Sequence, residues 1–495
     1  MLNLLIVMIG NAFIGSALTL SVISKSMTRY FVAFNMLCSW GLYSMIVADF
    51  LPGSGMQFIY DLPGWSFIRN HQISFSIDGL SLVLIGLLLF IFSLIFIHLF
   101  TKSIRLQRSY WATLLFVMGI VMGLFSVQDT VAFYIFWEGM MFPMYFLIGI
   151  WGGENRYYAA MKFFIYTFAT SLMMLMALLY IGVQAGGYSF SDLYQSNLSL
   201  AQQMVLFFPL MLAMAVKTPM WPVHTWLPDA HTEASTEGSV LLAGLLLKVG
   251  GYAMLRLLLP VLPLACAIYA PYMVVLSLIA IIYVGMLTSA QNDMKCLIAY
   301  SSIAHMGFVT LGLFSAFLFS DLDLINLVLL GSCFIMVAHG LSSGALFFSF
   351  GMIYERLKTR SITQMSGLSI DMPWLSALFC MCLFSVIGLP GTAGFVGEWM
   401  IFVGLMKGSQ WLFGICAIFT MVVAAIYMLQ LYRNAFLGPK LEVSGDLIDL
   451  SFNEKVVLLI PVGAILFLGL FPGTILNIMQ GSIGELSNLI LLGRG

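Results

Sequence analysis

Residues 217–252 read KTPMWPVHTWLPDAHTEASTEGSVLLAGLLLKVGGY, and two lysines in that stretch, Lys217 and Lys248, stand inside apolar runs. A lysine at the centre of a membrane helix costs roughly 2.5–3.5 kcal/mol even on the most lenient insertion scale. Lys217 is followed at once by Thr218-Pro219, and a helix does not run undisturbed through proline. Charges kept at such cost beside a broken helix are what a path for ions across a membrane requires.

The surrounding composition agrees. Of 495 residues, 61% are hydrophobic and only 8% charged, and the mean hydropathy is +1.03. Soluble domains carry about 25% charged residues, so a water-soluble fold of this length is excluded. Apolar runs long enough to cross a bilayer recur at 2–21, 31–48, 79–100, 110–127, 131–151, 159–183, 204–226, 236–258, 266–288, 296–317, 325–350, 374–403, 410–432 and 456–479. The expected fold is an all-α polytopic membrane protein of about fourteen transmembrane helices. The polar stretches 49–78 and 433–455 are too short for soluble domains.

Alternate threading of these spans separates the charges. Lys25, Arg29, Lys102, Arg105, Arg108, Arg156, Lys162, Lys295, Arg356, Lys358, Arg360, Arg433, Lys440 and Lys455 fall on one face. Arg69, Arg256, Lys407 and Arg494 fall on the other. The positive-inside rule makes the richer face cytoplasmic, or matrix-facing in a mitochondrion, with both termini on the outer side. The bacterial cytoplasmic membrane is the expected location, with the mitochondrial inner membrane as the alternative. The first span has no cleavable signal pattern. Seven scattered cysteines form no CxxC pair, and no Gly-rich phosphate loop or metal-ligand spacing is present. No cofactor and no metal are expected in this chain, and no nucleic-acid partner.

A second interruption lies in VIGLPGTAGFVGEW, residues 386–399. Broken helices at corresponding places in two halves point to inverted repeats, and here they are five spans apart. The expected division is 1–109 for helices 1–3, 110–260 for a first repeat, 261–435 for a second, and 436–495 for the last helix. At about 1.5 Å per residue, six ionisable groups on six helices share a depth near the midplane: Glu138, Lys217, Lys248, His305, His339 and Glu398.

Each has a plainer reading. Glu138, in FYIFWEGMMFPMY, could be half of a structural ion pair, although buried pairs stabilise poorly against apolar packing. Lys248 is too far from either helix end to reach water, and desolvation makes it a proton carrier near neutral pH. His305 and His339 are as readily core hydrogen-bonders as relays. His224, Asp229, His231 and Glu233, in HTWLPDAHTEAST, form either a polar connection to the basic face or a capped turn.

Four segments, FWEGMMFPMYFLIGIWG, the block from Lys217 to Tyr252, MLTSAQNDMKCLIAYSSIAHMG and LPGTAGFVGEW, resemble the antiporter-like membrane subunits of respiratory complex I. Glu398, where most relatives place lysine, is similar to the M-type branch. The resemblance implies that Glu138 and Lys217 form a coupling pair, that Lys248 is the central relay, and that Glu398 is the terminal group, with His305 and His339 between. It implies a proton-translocating subunit of an NADH:quinone oxidoreductase, with NADH, FMN, iron–sulfur clusters and quinone in partner subunits. L-type and N-type chains would flank it in the bilayer. An Mrp-type Na⁺/H⁺ antiporter subunit, a membrane-bound hydrogenase subunit and a stand-alone solute carrier are the alternatives, with a structural spacer as the plainest one. One departure is Ser235, where the family usually has proline; its loss should loosen the turn before span eight.

Overall fold

The computed structural model describes residues 3–24, 26–63, 72–102, 104–439 and 447–493. Lys25, Arg69, Lys440 and Arg494, used in the charge count, lie outside them. Fourteen helices among the described residues are long and apolar enough to cross a membrane. They gather into two packing units that do not follow chain order. The first takes residues 1–216, 252–268 and 477–495, the second 217–251 and 269–476.

The membership of the fourteen differs from the sequence reading at two places. The expected span 374–403 is split into Pro373–Ile387 and Ala393–Lys407. Gly388 ends the first half with φ +78°, a conformation open to glycine and resisted by residues with a Cβ. The other difference is Gly473–Leu492, a 20-residue helix that the sequence reading did not include. Its backbone closes on Gly79, where an added Cβ would stand 1.8 Å from the Ile478 carbonyl, and on Gly53 and Pro263 through Gly481 and Gly493. Residues 53, 79 and 263 all follow an even number of crossings. Contacts near both ends, roughly 22 Å apart along the axis, therefore meet one end of the unit. The helix lies along that end and does not pass through. With the split pair counted as one crossing, the described residues still cross fourteen times.

Before the third span, strands Gln57–Pro63 and Gln72–Ile77 pair antiparallel. From the sequence alone, this polar stretch carries no expected element. Its signal was the alternation in Gln72-Ile73-Ser74-Phe75-Ser76-Ile77, of period two.

One motif occurs twice. In the first unit, Thr130 N–H bonds the Tyr188 carbonyl at 2.8 Å and Phe190 N–H bonds the Gln128 carbonyl at 2.9 Å. In the second, Met294 N–H bonds the Arg360 carbonyl at 2.9 Å and Ile362 N–H bonds the Asn292 carbonyl at 2.8 Å. An aspartate between each pair of strand residues, Asp129 or Asp293, caps the following helix.

Candidate functional site

Span eight, Thr236–Leu258, is wholly buried and is not a uniform α-helix. Residues Leu242–Leu246 wind as a π-helix. A π turn takes in an extra residue and disturbs the i→i−4 ladder, and the Ala243 carbonyl accepts a hydrogen bond from Lys248 Nζ. Lys248 is fully buried, and its ammonium also meets His339 Nδ1 at 2.7 Å. Gly251 faces the same helix: a Cβ there would stand 2.7 Å from Met336 Sδ, one turn before His339.

From His339 the run continues within the second unit. The His339 and His305 rings lie 5.9 Å apart, inclined at 37°. His305 Nδ1 lies 3.2 Å from Glu398 Oε1. All four groups are under 10% exposed. Glu398 is placed by the break before it. A Cβ at Gly388 would sit 2.7 Å from Glu398 Oε2, and one at Gly397 would sit 2.8 Å from the Gly331 carbonyl. Small residues thus let the second half of the broken span pack backbone to backbone on helix Leu322–Leu357, which carries His339.

The contacts constrain the tautomers. With Lys248 as donor to His339 Nδ1, the ring proton of a neutral His339 is on Nε2. With His305 donating from Nδ1 to Glu398, its Nε2 is the acceptor. Neither Nε2 has a hydrogen-bond partner among the described residues. Each imidazole can therefore take a proton on one nitrogen and give one from the other.

The remaining two predicted residues lie elsewhere in the fold. Lys217 is the last residue of helix Leu200–Lys217 and is 2% exposed. Glu138 is half-buried in Thr130–Gly139, within reach of Tyr134. The turn suspected as a polar connection is ordered by charge. Arg360 bonds the Thr232 carbonyl at 2.9 Å and pairs with Asp293 at 3.2 Å and Glu233 at 3.5 Å. His231 is buried and stacks on Phe347, with ring centroids 4.6 Å apart. Ser235 stands at the end of this turn. It caps helix Thr236–Leu241, its hydroxyl accepting from Gly238 N–H at 3.1 Å, so a cap stands where a proline would have set the backbone angle.

Three features escaped the sequence reading. Lys295 was assigned to the basic face but is 4% exposed, with its ammonium on the Ala234 carbonyl at 2.5 Å. Being second in its helix, it looked solvated; only the neighbouring turn covers it. Arg256 was likewise read as a face charge. It is buried against Asp78 and lies over the Tyr252 ring at 5.3 Å. Tyr252 in turn bonds Ser81 and the Phe125 carbonyl, and the Tyr194 hydroxyl donates to the Arg256 carbonyl. Burial alone would push the Asp78 carboxyl up; Arg256 and hydrogen bonds from Ser81 and Ser482 outweigh it and hold Asp78 below the usual carboxylate range. The third is Tyr427, buried beside Glu398 and His305. Nothing in an apolar run marks one tyrosine as different from its neighbours. Among the described residues, no group of three or more His, Cys, Asp or Glu side chains is placed to hold a metal ion.

Fourteen crossings, two broken helices and a buried run from lysine to carboxylate define an antiporter-like membrane protein. The family described as "NADH:quinone oxidoreductase/Mrp antiporter, TM" matches residues 127–424, and the chain belongs to it. It is 40% identical to NADH-quinone oxidoreductase subunit M of Rickettsia bellii, over 87% of this chain and 88% of that one. Among solved structures it resembles a chain of respiratory complex I from Thermus thermophilus with bound NADH, at TM-score 0.86 and 27% identity, covering 99% and 100% of the two chains. A chain of the Mrp complex from Dietzia sp. shares the fold at TM-score 0.85 and 18% identity, covering 98% and 99%.

Proposed function

We infer that the chain is a proton-translocating, antiporter-like subunit of an NADH:quinone oxidoreductase, driven by redox chemistry in other subunits. The observation that carries the mechanism is the continuity of the buried groups Lys248, His339, His305 and Glu398 across four helices. A proton leaving Lys248 protonates His339 on Nδ1, and His339 releases one from Nε2 towards His305 Nε2. His305 then hands its Nδ1 proton to Glu398. Lys217 is the group whose proton affinity the coupling step changes, with Glu138 as its assigned counter-charge. His231, Lys295 and the Arg360 cluster line the approach to Lys248 from the basic face. Because these sites interact, their titration belongs to the set.

In this reading residues 110–260 and 261–435 are inverted repeats. The duplicated Asp129 and Asp293 motifs support it, since five crossings separate them. The basic face is cytoplasmic or matrix-facing, the termini are on the outer side, and L-type and N-type chains flank the subunit. Flavin, iron–sulfur clusters and quinone belong to partners.

Purification of the tagged chain in mild detergent tests the assembly. Recovery with flavin and iron–sulfur subunits is expected; recovery with antiporter-like chains alone would make it an Mrp-type exchanger. For the mechanism, Lys217→Ala should cut NADH-driven pumping in a complex that still assembles, and Glu398→Gln should abolish it. Normal pumping by an assembled Lys217→Ala complex would remove the coupling role.

A further inference from the structure

Two cavities meet at the ring of Tyr427. A cavity of about 720 Å³, with Gln291, Asn292, Thr363, Gln430 and Asn434 in its lining, occupies the end of the second unit where Asn292 and Ile362 are clasped. Arg433 is in its wall, and the threading places this end on the Lys/Arg-rich face. Tyr427 is also in its lining. The same ring lines a cavity of about 10 Å³ shared by His305 and Glu398, which is on the order of the room one water needs. Tyr427, Gln430 and Asn434 follow one another at spacings of three and four along Trp411–Phe436, a single stripe of the helix. The stripe runs for roughly 10 Å along the wall of the large cavity and ends at Tyr427, which also lines the small one.

Tyr427 is 1% exposed, and its hydroxyl has no hydrogen-bond partner among the described residues. A buried hydroxyl left so is destabilising, and phenylalanine would fill the same space without that cost. A buried hydroxyl on a side chain that lines both cavities, with Glu398 in its electrostatic reach, has a use that packing does not supply.

We propose that Tyr427 passes protons from the 720 Å³ cavity to Glu398, giving that carboxylate an inlet from the basic face separate from the run beginning at Lys248. The proposal rests on the function inferred above for Glu398. In one hop, a hydronium in the large cavity protonates the phenol oxygen as the phenol O–H breaks. That proton forms the O–H bond of Glu398, directly or through one water, and the tyrosine ends unchanged with water left behind.

The test uses the whole complex in liposomes, with NADH-driven proton uptake followed by a pH-sensitive dye. NADH oxidation by an artificial acceptor checks assembly. Tyr427→Phe should lower pumping roughly tenfold and raise the solvent deuterium isotope effect on turnover, with acceptor reduction unchanged. Asn434→Trp, which fills the cavity mouth and leaves Tyr427 in place, should lower pumping as well. Normal pumping and isotope effect in Tyr427→Phe, beside a dead Glu398→Gln, would overturn the inlet and leave the function standing. If Glu398→Gln also pumps normally, the function fails first. Slow Tyr427→Phe with normal Asn434→Trp would overturn the route from the large cavity.

Discussion

The molecule holds two buried polar assemblies of opposite design. In the Asp78–Arg256 node, carboxylate and guanidinium answer each other directly, and Ser81, Tyr252, Tyr194 and Ser482 fix the groups around them. In the run from Lys248 to Glu398, the lysine faces an imidazole, the carboxyl group faces another, and each imidazole keeps a nitrogen without a hydrogen-bond partner among the described residues. The first arrangement makes every proton expensive to move. The second leaves a vacancy at each step, which a proton can occupy and vacate. Burial of charge is common to both, and so is an unused nitrogen, but Arg256 Nε carries a proton it does not give up, whereas the imidazole Nε2 atoms can gain or lose one.

The comparison is broken most forcefully at Asp78. Asp78→Ala leaves Arg256 buried without its counter-charge, which costs about 3–5 kcal/mol. Little of the chain should appear in assembled complex on native gels; wild-type amounts would mean that the node holds nothing together. His305→Gln should do the reverse. Assembly should be preserved and proton pumping should fall roughly a hundredfold, while an equal loss of both would make the run a second structural node. A smaller effect concerns acid. The folded-state pKa of Asp78 lies below its ordinary 3.8, so its stabilisation is complete above that value and fades as pH falls through the lower one. Thermal melts of the solubilised complex should lose a stability step below about pH 4, and Asp78→Asn should lack it. Smallest is Ser235→Ala, which removes a helix cap worth about 1 kcal/mol near the approach to Lys248. It should lower the melting temperature slightly with pumping retained; a large pumping loss would give Ser235 a part in the proton route.

The sequence carried much of this because its strongest signals are costs. Lysine at mid-span, proline after it and glycine around Pro390 each violate a local rule, and each marks a real break or a buried charge. Four of the six candidate residues meet in one run on that basis. What escaped were groups whose neighbours come from distant sequence. Lys295 is hidden by Ala234, 61 residues away, and Arg256 by Asp78, 178 away. Neither is visible to a count along the chain. Helix Gly473–Leu492 escaped for a different reason: its mean hydropathy of 1.2 is the lowest among the candidate spans, as suits a segment that lies along an end.

The π turn at Leu242–Leu246 gives span eight a register that can be counted. It stores one residue beyond the α-helical repeat, and an α-helix turns about 100° per residue. Sliding that surplus residue past Lys248 would swing the ammonium by about the same angle about the helix axis, away from His339, with neither helix end displaced. Deleting one residue of 242–246 would remove the surplus and leave Lys248 facing His339, so the length of this segment decides whether the swing is available at all.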